Sequence, residues 1–96
     1  MKIKVKGLLT VKKAMGDRPF VEMDMESPTL RGVLNRLGDE YGKHFSSLIF
    51  DPETMEVRDL YQILVNSRHY KFLPGRLDTR LREGDVVAII PPVAGG

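Results

Sequence analysis

The chain has 96 residues, 42% of them hydrophobic, no cysteine and a formal net charge of +2. That length makes one domain able to bury a modest core, and the missing thiols exclude disulfides, thiolate metal sites and cysteine nucleophiles. The charge surplus is too small to argue for nucleic acid, and no apolar run approaches the roughly 20 residues of a membrane span.

The opening "MKIKVKGLLTVKK" threads charges through its apolar residues, whereas a secretory leader needs an unbroken apolar stretch. A soluble, cytoplasmic protein is the expectation. "KIKVK" alternates strictly, with Ile3 and Val5 on one face and Lys2, Lys4 and Lys6 on the other. It reads as a half-buried strand running to about Val11. "AMGDRP" is a turn, with the reversal at Gly16-Asp17. "FVEMDME" alternates again, Val21, Met23 and Met25 inward and Glu22, Asp24 and Glu26 outward. The two strands read as a hairpin. The basic residues of 2–18 and the acidic residues of 22–26 are placed to pair across that sheet or to lie on a solvated face. A basic docking patch is the alternative.

"SPTLRGVLNRLGDEYG" changes period. Leu30, Val33, Leu34, Leu37 and Tyr41 form one stripe of an amphipathic helix, capped by Thr29 or Ser27 and ended by Gly42. Gly32 and Gly38 each weaken it by about 1 kcal/mol relative to alanine, so it depends on packing. Residues 43–59 read as a loose hairpin, or a strand and loop, turning at Asp51-Pro52. "LYQILVNSR" is a strand with Ile63 and Val65 on one face, and Asn66-Ser67 begins a turn. "HYKFL" reads as a short strand, Pro74-Gly75 as a turn, and "TRLREGD" as a loop with Leu81 tucked in. "DVVAIIPP" is the last strand, Val87 and Ile89 inward, stopped by Pro91-Pro92. A hairpin followed by a helix crossing the sheet gives an α+β roll. In it the last strand is central and lies parallel to the first.

The sequence offers little to an autonomous enzyme. His44 and His69 lack spacing partners for a metal site, and no Gly-x-Ser-x-Gly elbow frames Ser46 or Ser47. Asp51, Glu53 and Glu56 share a turn, and no Gly-rich phosphate loop is present. The ending "IIPPVAGG" carries more. Pro91-Pro92 favour an extended path leading away from the domain. Val93 is an anchor for a partner's groove, and Ala94, Gly95 and Gly96 present almost no bulk to a narrow tunnel. The carboxylate of Gly96 is the reactive group for which this layout makes sense. Adenylation by ATP activates it toward a sulfur or amine nucleophile, and the chain needs no catalytic side chain of its own.

"LREGDVVAIIPPVAGG", "TLRGVLNRL" and "ILVNSRHY" resemble segments of the MoaD/ThiS family of ubiquitin-like sulfur carriers, with Ser67 where glycine is more usual. "LIFDPETMEVRD" resembles an added hairpin of the longer MoaD-like members. The resemblance implies a β-grasp domain over residues 1–90 and a flexible Gly-Gly tail over 91–96. It implies a carrier rather than an enzyme, with no bound cofactor or metal. A MoeB/ThiF-type adenylyltransferase spends the ATP, and a sulfurtransferase converts Gly96 to a thiocarboxylate. Gly95 is the steric permit, Pro91, Pro92, Val93 and Ala94 are the inserted arm, and Ile90 lies on the docking face. The "PPVAGG" form is closest to the molybdopterin synthase small subunit, which implies a MoaE-like large subunit as acceptor and a place in molybdenum or tungsten cofactor synthesis. Another acceptor such as thiamin thiazole, conjugation to lysines, and a non-covalent interaction domain are the alternatives.

Overall fold

The computed structural model describes residues 1–92. Its first strand, β1 (Lys2–Gly7), buries Ile3 and Val5 completely and leaves Lys2 and Lys6 exposed, as the alternation requires. The strand stops at Gly7, short of the expected Val11. A helix, α1 (Leu9–Ala14), follows instead. Val11, Ala14 and Met15 recur at i, i+3 and i+4 and are all buried, so this stretch follows the helical period rather than that of a strand. Gly16 and Asp17, both at positive φ, then reverse the chain.

β2 (Val21–Asp24) pairs antiparallel with β1, from Lys2 opposite Asp24 to Val5 opposite Val21. The pairing is that of the expected hairpin, but its connection contains a helix. Lys4 and Glu22 stand opposite each other without an ion pair; the Lys4 ammonium lies 4.5 Å from the centre of the Phe20 ring.

α2 (Leu30–Tyr41) starts where the Thr29 hydroxyl accepts from the amide of Gly32 at 3.0 Å. Leu30, Val33, Leu34 and Leu37 are fully buried, each worth about 1.5–3 kcal/mol of transfer free energy. Gly42, at φ 84°, closes α2 and opens α3 (Lys43–Ile49). This third helix replaces the strand or loop expected there. Phe45 and Ile49, one turn apart, supply its buried stripe, too short to stand out in sequence. A Cβ at Gly38 would run into the Ser46 hydroxyl, so glycine lets the two helices approach. The expected hairpin survives only as a bridge between Phe50 and Val57, closed by the Asp51 carboxylate accepting from the amide of Glu53 at 2.9 Å.

β3 (Gln62–Val65) and β4 (Arg68–His69) form a two-residue hairpin through Asn66 and Ser67. The rest of "HYKFL" is a 3-10 turn, Tyr70–Phe72, rather than strand, and a second such turn spans Arg76–Asp78. Leu81 is buried within its loop.

β5 (Val86–Ile90) buries Val87 and Ile89 and leaves Val86, Ala88 and Ile90 half-buried on the other face. The sheet order is β2-β1-β5-β3-β4, with β5 central, parallel to β1 and antiparallel to β3. The helical connection makes the parallel pairing possible.

Candidate functional site at the end of the central strand

The parallel register sets Gly7 beside Ile89, and the amide of Leu8 donates to the Ile89 carbonyl at 3.1 Å. On the other side Gln62 stands opposite Ile90. The end of β1 and the start of β3 therefore flank the point where β5 runs out.

Both flanks carry exposed leucines. Leu8 is 42% and Leu9 59% exposed where the chain turns into α1, and Leu60, just before β3, is 74% exposed. Leu9 sits at φ 52°, a left-handed conformation that an L-residue adopts at a cost. Its strain is local to this rim. Lys12 and Lys13 line a shallow groove with Leu8 and Leu9, bordered by Asp17 and Pro19. Large apolar side chains left in water at one end of the sheet make this a candidate contact surface. In sequence, 8–11 reads as strand and Leu60 as the first residue of the strand "LYQILVNSR", so none of the three stands out. Leu9 continues the alternation of Ile3 and Val5, and Leu8 stands in helical phase with Val11 and Met15, so neither leaves a mark of exposure in the sequence.

Ile90 is half-buried on the outward face of β5, Pro91 is buried, and Pro92 is exposed. Packing thus continues one residue past the strand, and Ile90 and Pro92 are the surfaces on offer here. The expected anchor and carrier residues Val93, Ala94, Gly95 and Gly96 lie outside the described residues.

The other candidates are dispersed among local roles. His44 is exposed, and the Ser47 hydroxyl donates to the Lys43 carbonyl at 2.6 Å within its own helix. His69 accepts through Nδ1 from the amide of Lys71 at 3.2 Å. Among the described residues no three His, Asp or Glu side chains are grouped to hold a metal ion. Nor is any helix among them long and apolar enough to cross a membrane. Burial, reinforced by Glu56 and Asp59, raises the Tyr70 hydroxyl above its ordinary pKa.

The sequence model of the ThiS family matches residues 11–96. The chain belongs to the ThiS family. This member is 33% identical over 76 residues to a putative sulfur carrier protein of Archaeoglobus fulgidus, covering 79% of this chain and 83% of that one. It is 31% identical over 96 residues to small archaeal modifier protein 3 of Haloferax volcanii, covering all of both chains. The solution structure of small archaeal modifier protein 1 from Methanosarcina acetivorans superimposes with a TM-score of 0.82 at 28% identity, covering 99% of this chain and 96% of that one. The mixed sheet, with β1 parallel to β5 and a main helix, is the β-grasp fold that the tail motif implied. The ThiS-family chain is accordingly a small ubiquitin-like carrier or modifier protein.

Proposed function

We propose that the chain is a sulfur carrier whose terminal glycine, Gly96, bears the cargo. The observation that supports this most is that the central strand, which the Gly-Gly ending follows in sequence, runs out at an end of the sheet where Leu8, Leu9 and Leu60 are exposed. In this reading an adenylyltransferase of the MoeB/ThiF type docks on the rim and on Ile90. Pro92 directs Val93 and Ala94 into its active site, and Gly95 passes a constriction that a Cβ would block.

The chemistry follows from the carboxylate. Its oxygen attacks the α-phosphate of ATP, pyrophosphate leaves, and an acyl-adenylate forms. The terminal sulfur of a sulfurtransferase persulfide then attacks the acyl carbon, and AMP leaves. A thiol reduces the resulting acyl disulfide, releasing the thiocarboxylate. The carrier contributes the acyl group and the docking surface. The "PPVAGG" form favours a MoaE-like large subunit of molybdopterin synthase as acceptor.

A second reading, isopeptide attachment of Gly96 to lysines, draws support from the full-length match to an archaeal modifier protein. Both readings share the adenylate and part at the nucleophile. Tagged chain expressed in its native cell distinguishes them. The sulfur-carrier reading expects free chain with one terminal oxygen exchanged for sulfur. Conjugates of higher mass that vanish on deletion of Gly96, with no thiocarboxylate, would decide for the modifier.

A further inference from the structure

The foot of β5, at the opposite end of the sheet from the tail, holds a basic cleft. Arg68, Arg80 and Arg82 line a volume of about 490 Å³, together with Val65, Leu73 and Leu81. All three arginines are exposed. Among the described residues none forms an ion pair or donates a side-chain hydrogen bond. Val65 and Leu81 are buried and Leu73 packs on the core, so the cleft has an apolar floor beneath a cationic rim. The one carboxylate in the lining is already engaged. Asp85 accepts from Asn66 Nδ2 at 2.9 Å and from the amide of Arg82 at 2.8 Å.

The surrounding segment is also basic. Residues 66–85 hold five Lys and Arg against Asp78, Glu83 and Asp85, and Asp78 pairs with Arg31 at 3.2 Å. The overall +2 is therefore concentrated in this segment. Three guanidinium groups around one cleft repel each other, and its lining supplies no counter-charge beyond the engaged Asp85. A bound anion would relieve that repulsion, and planar guanidinium forks match carboxylates two oxygens at a time.

We propose that this cleft binds an acidic segment of a partner protein, with carboxylates on the arginines and an apolar side chain on the floor. An acidic peptide fits better than nucleic acid. Base stacking needs exposed aromatic platforms, and no aromatic residue stands in the lining. The nearby Tyr70 is buried, and Phe72, though exposed, stands outside the lining. The five residues of β5 separate the cleft from the tail by about 17 Å. A partner held at the foot leaves the tail end free to react, so the carrier can be tethered and used at once.

The test needs neither ATP nor Gly96 chemistry, so its failure and that of the carrier reading are distinguishable. The full-length ¹⁵N-labelled chain is titrated with a short synthetic peptide of alternating glutamate and leucine, and separately with oligouridylate. The expected result is peptide-induced shifts at the amides of Asn66, Arg68 and 80–85. Affinity should fall at least ~10-fold in the Arg80→Glu/Arg82→Glu variant but not in the charge-matched Lys2→Glu/Lys4→Glu variant. Retained spectral dispersion shows that both variants fold; if the first does not, Arg80→Gln/Arg82→Gln takes its place. Absence of shifts in the cleft, equal losses in both variants, or tighter binding of oligouridylate at the same amides would each overturn the proposal.

Discussion

The amide of Leu8 donates to the carbonyl of Ile89 at 3.1 Å, and this contact ties the turn after β1 to the last buried residue of β5. It places two exposed leucines beside the exit of the tail. A carrier of this kind must be gripped close to its reacting end, because every residue between grip and carboxylate adds freedom that the bound state has to remove.

Replacing these leucines should therefore weaken activation without harming the fold. Leu9→Asp and Leu60→Asp are each expected to raise the KM for the carrier in an ATP–pyrophosphate exchange assay by about tenfold, the scale of one interface anchor. Thermal stability should change by less than about 0.5 kcal/mol, because both side chains are already in water. Unchanged KM in both variants would remove the rim from the docking surface.

Gly7 is set by packing. A Cβ there would lie 2.7 Å from Met15 Sδ, 3.0 Å from Val11 Cγ1 and 3.2 Å from the Lys12 amide. Gly7→Ala should cost about 1–3 kcal/mol by forcing α1 off the strand end. Urea unfolding should show a lower midpoint at unchanged slope.

Much of this architecture is legible in the residues. Strict alternation at Ile3 and Val5, and again at Val87 and Ile89, identifies strands with one buried face. The Leu30–Leu37 stripe identifies the main helix that makes the strands parallel. What escaped has physical reasons. In α1 and α3 the buried stripe is a turn or so long, and Leu9–Ala14 begins with no side-chain cap. The helical spacing of Val11 with Met15 and of Phe45 with Ile49 spans one turn, too short to outweigh a competing strand reading, and tertiary packing decides those segments. The exposed leucines are not legible in the residues, because Leu8 follows β1 and Leu60 precedes β3, and only the strand order brings both to the same end of the sheet.

Ser67 lies at φ 70° and Asn66 at φ 50°, the left-handed pair of a two-residue hairpin turn that favours Asn-Gly. Ser67→Gly relieves strain of about 1–2 kcal/mol and gives back part of it through a freer unfolded chain. A net gain of roughly 0.5–1 kcal/mol is expected from denaturant melts. Asn66→Gly should do the opposite. Asn66 Oδ1 accepts from the Val86 amide at 3.0 Å and its Nδ2 donates to Asp85, and both bonds would be lost.

Tyr70 gives an alkaline signature. Its folded pKa is raised above 10.0, first by burial and then by Glu56 and Asp59. The neutral phenol is thus the form the fold prefers. Its contribution to stability is complete below about pH 10 and is lost as pH rises from there through the raised folded value. Tyr70→Phe should flatten the fall in melting temperature across that window and leave stability near neutrality almost unchanged. An identical alkaline slope in both proteins would contradict this assignment.

The most direct measurement is the intact mass of the chain after incubation with ATP, a cognate ThiF-type activating enzyme and a persulfide sulfurtransferase with thiol reductant. A sulfur carrier should yield a species with one oxygen replaced by sulfur, located at Gly96 by fragmentation and absent when Gly96 is deleted from an otherwise folded chain. A chain that binds the active enzyme yet never acquires sulfur, or acquires it equally without Gly96, would contradict the account.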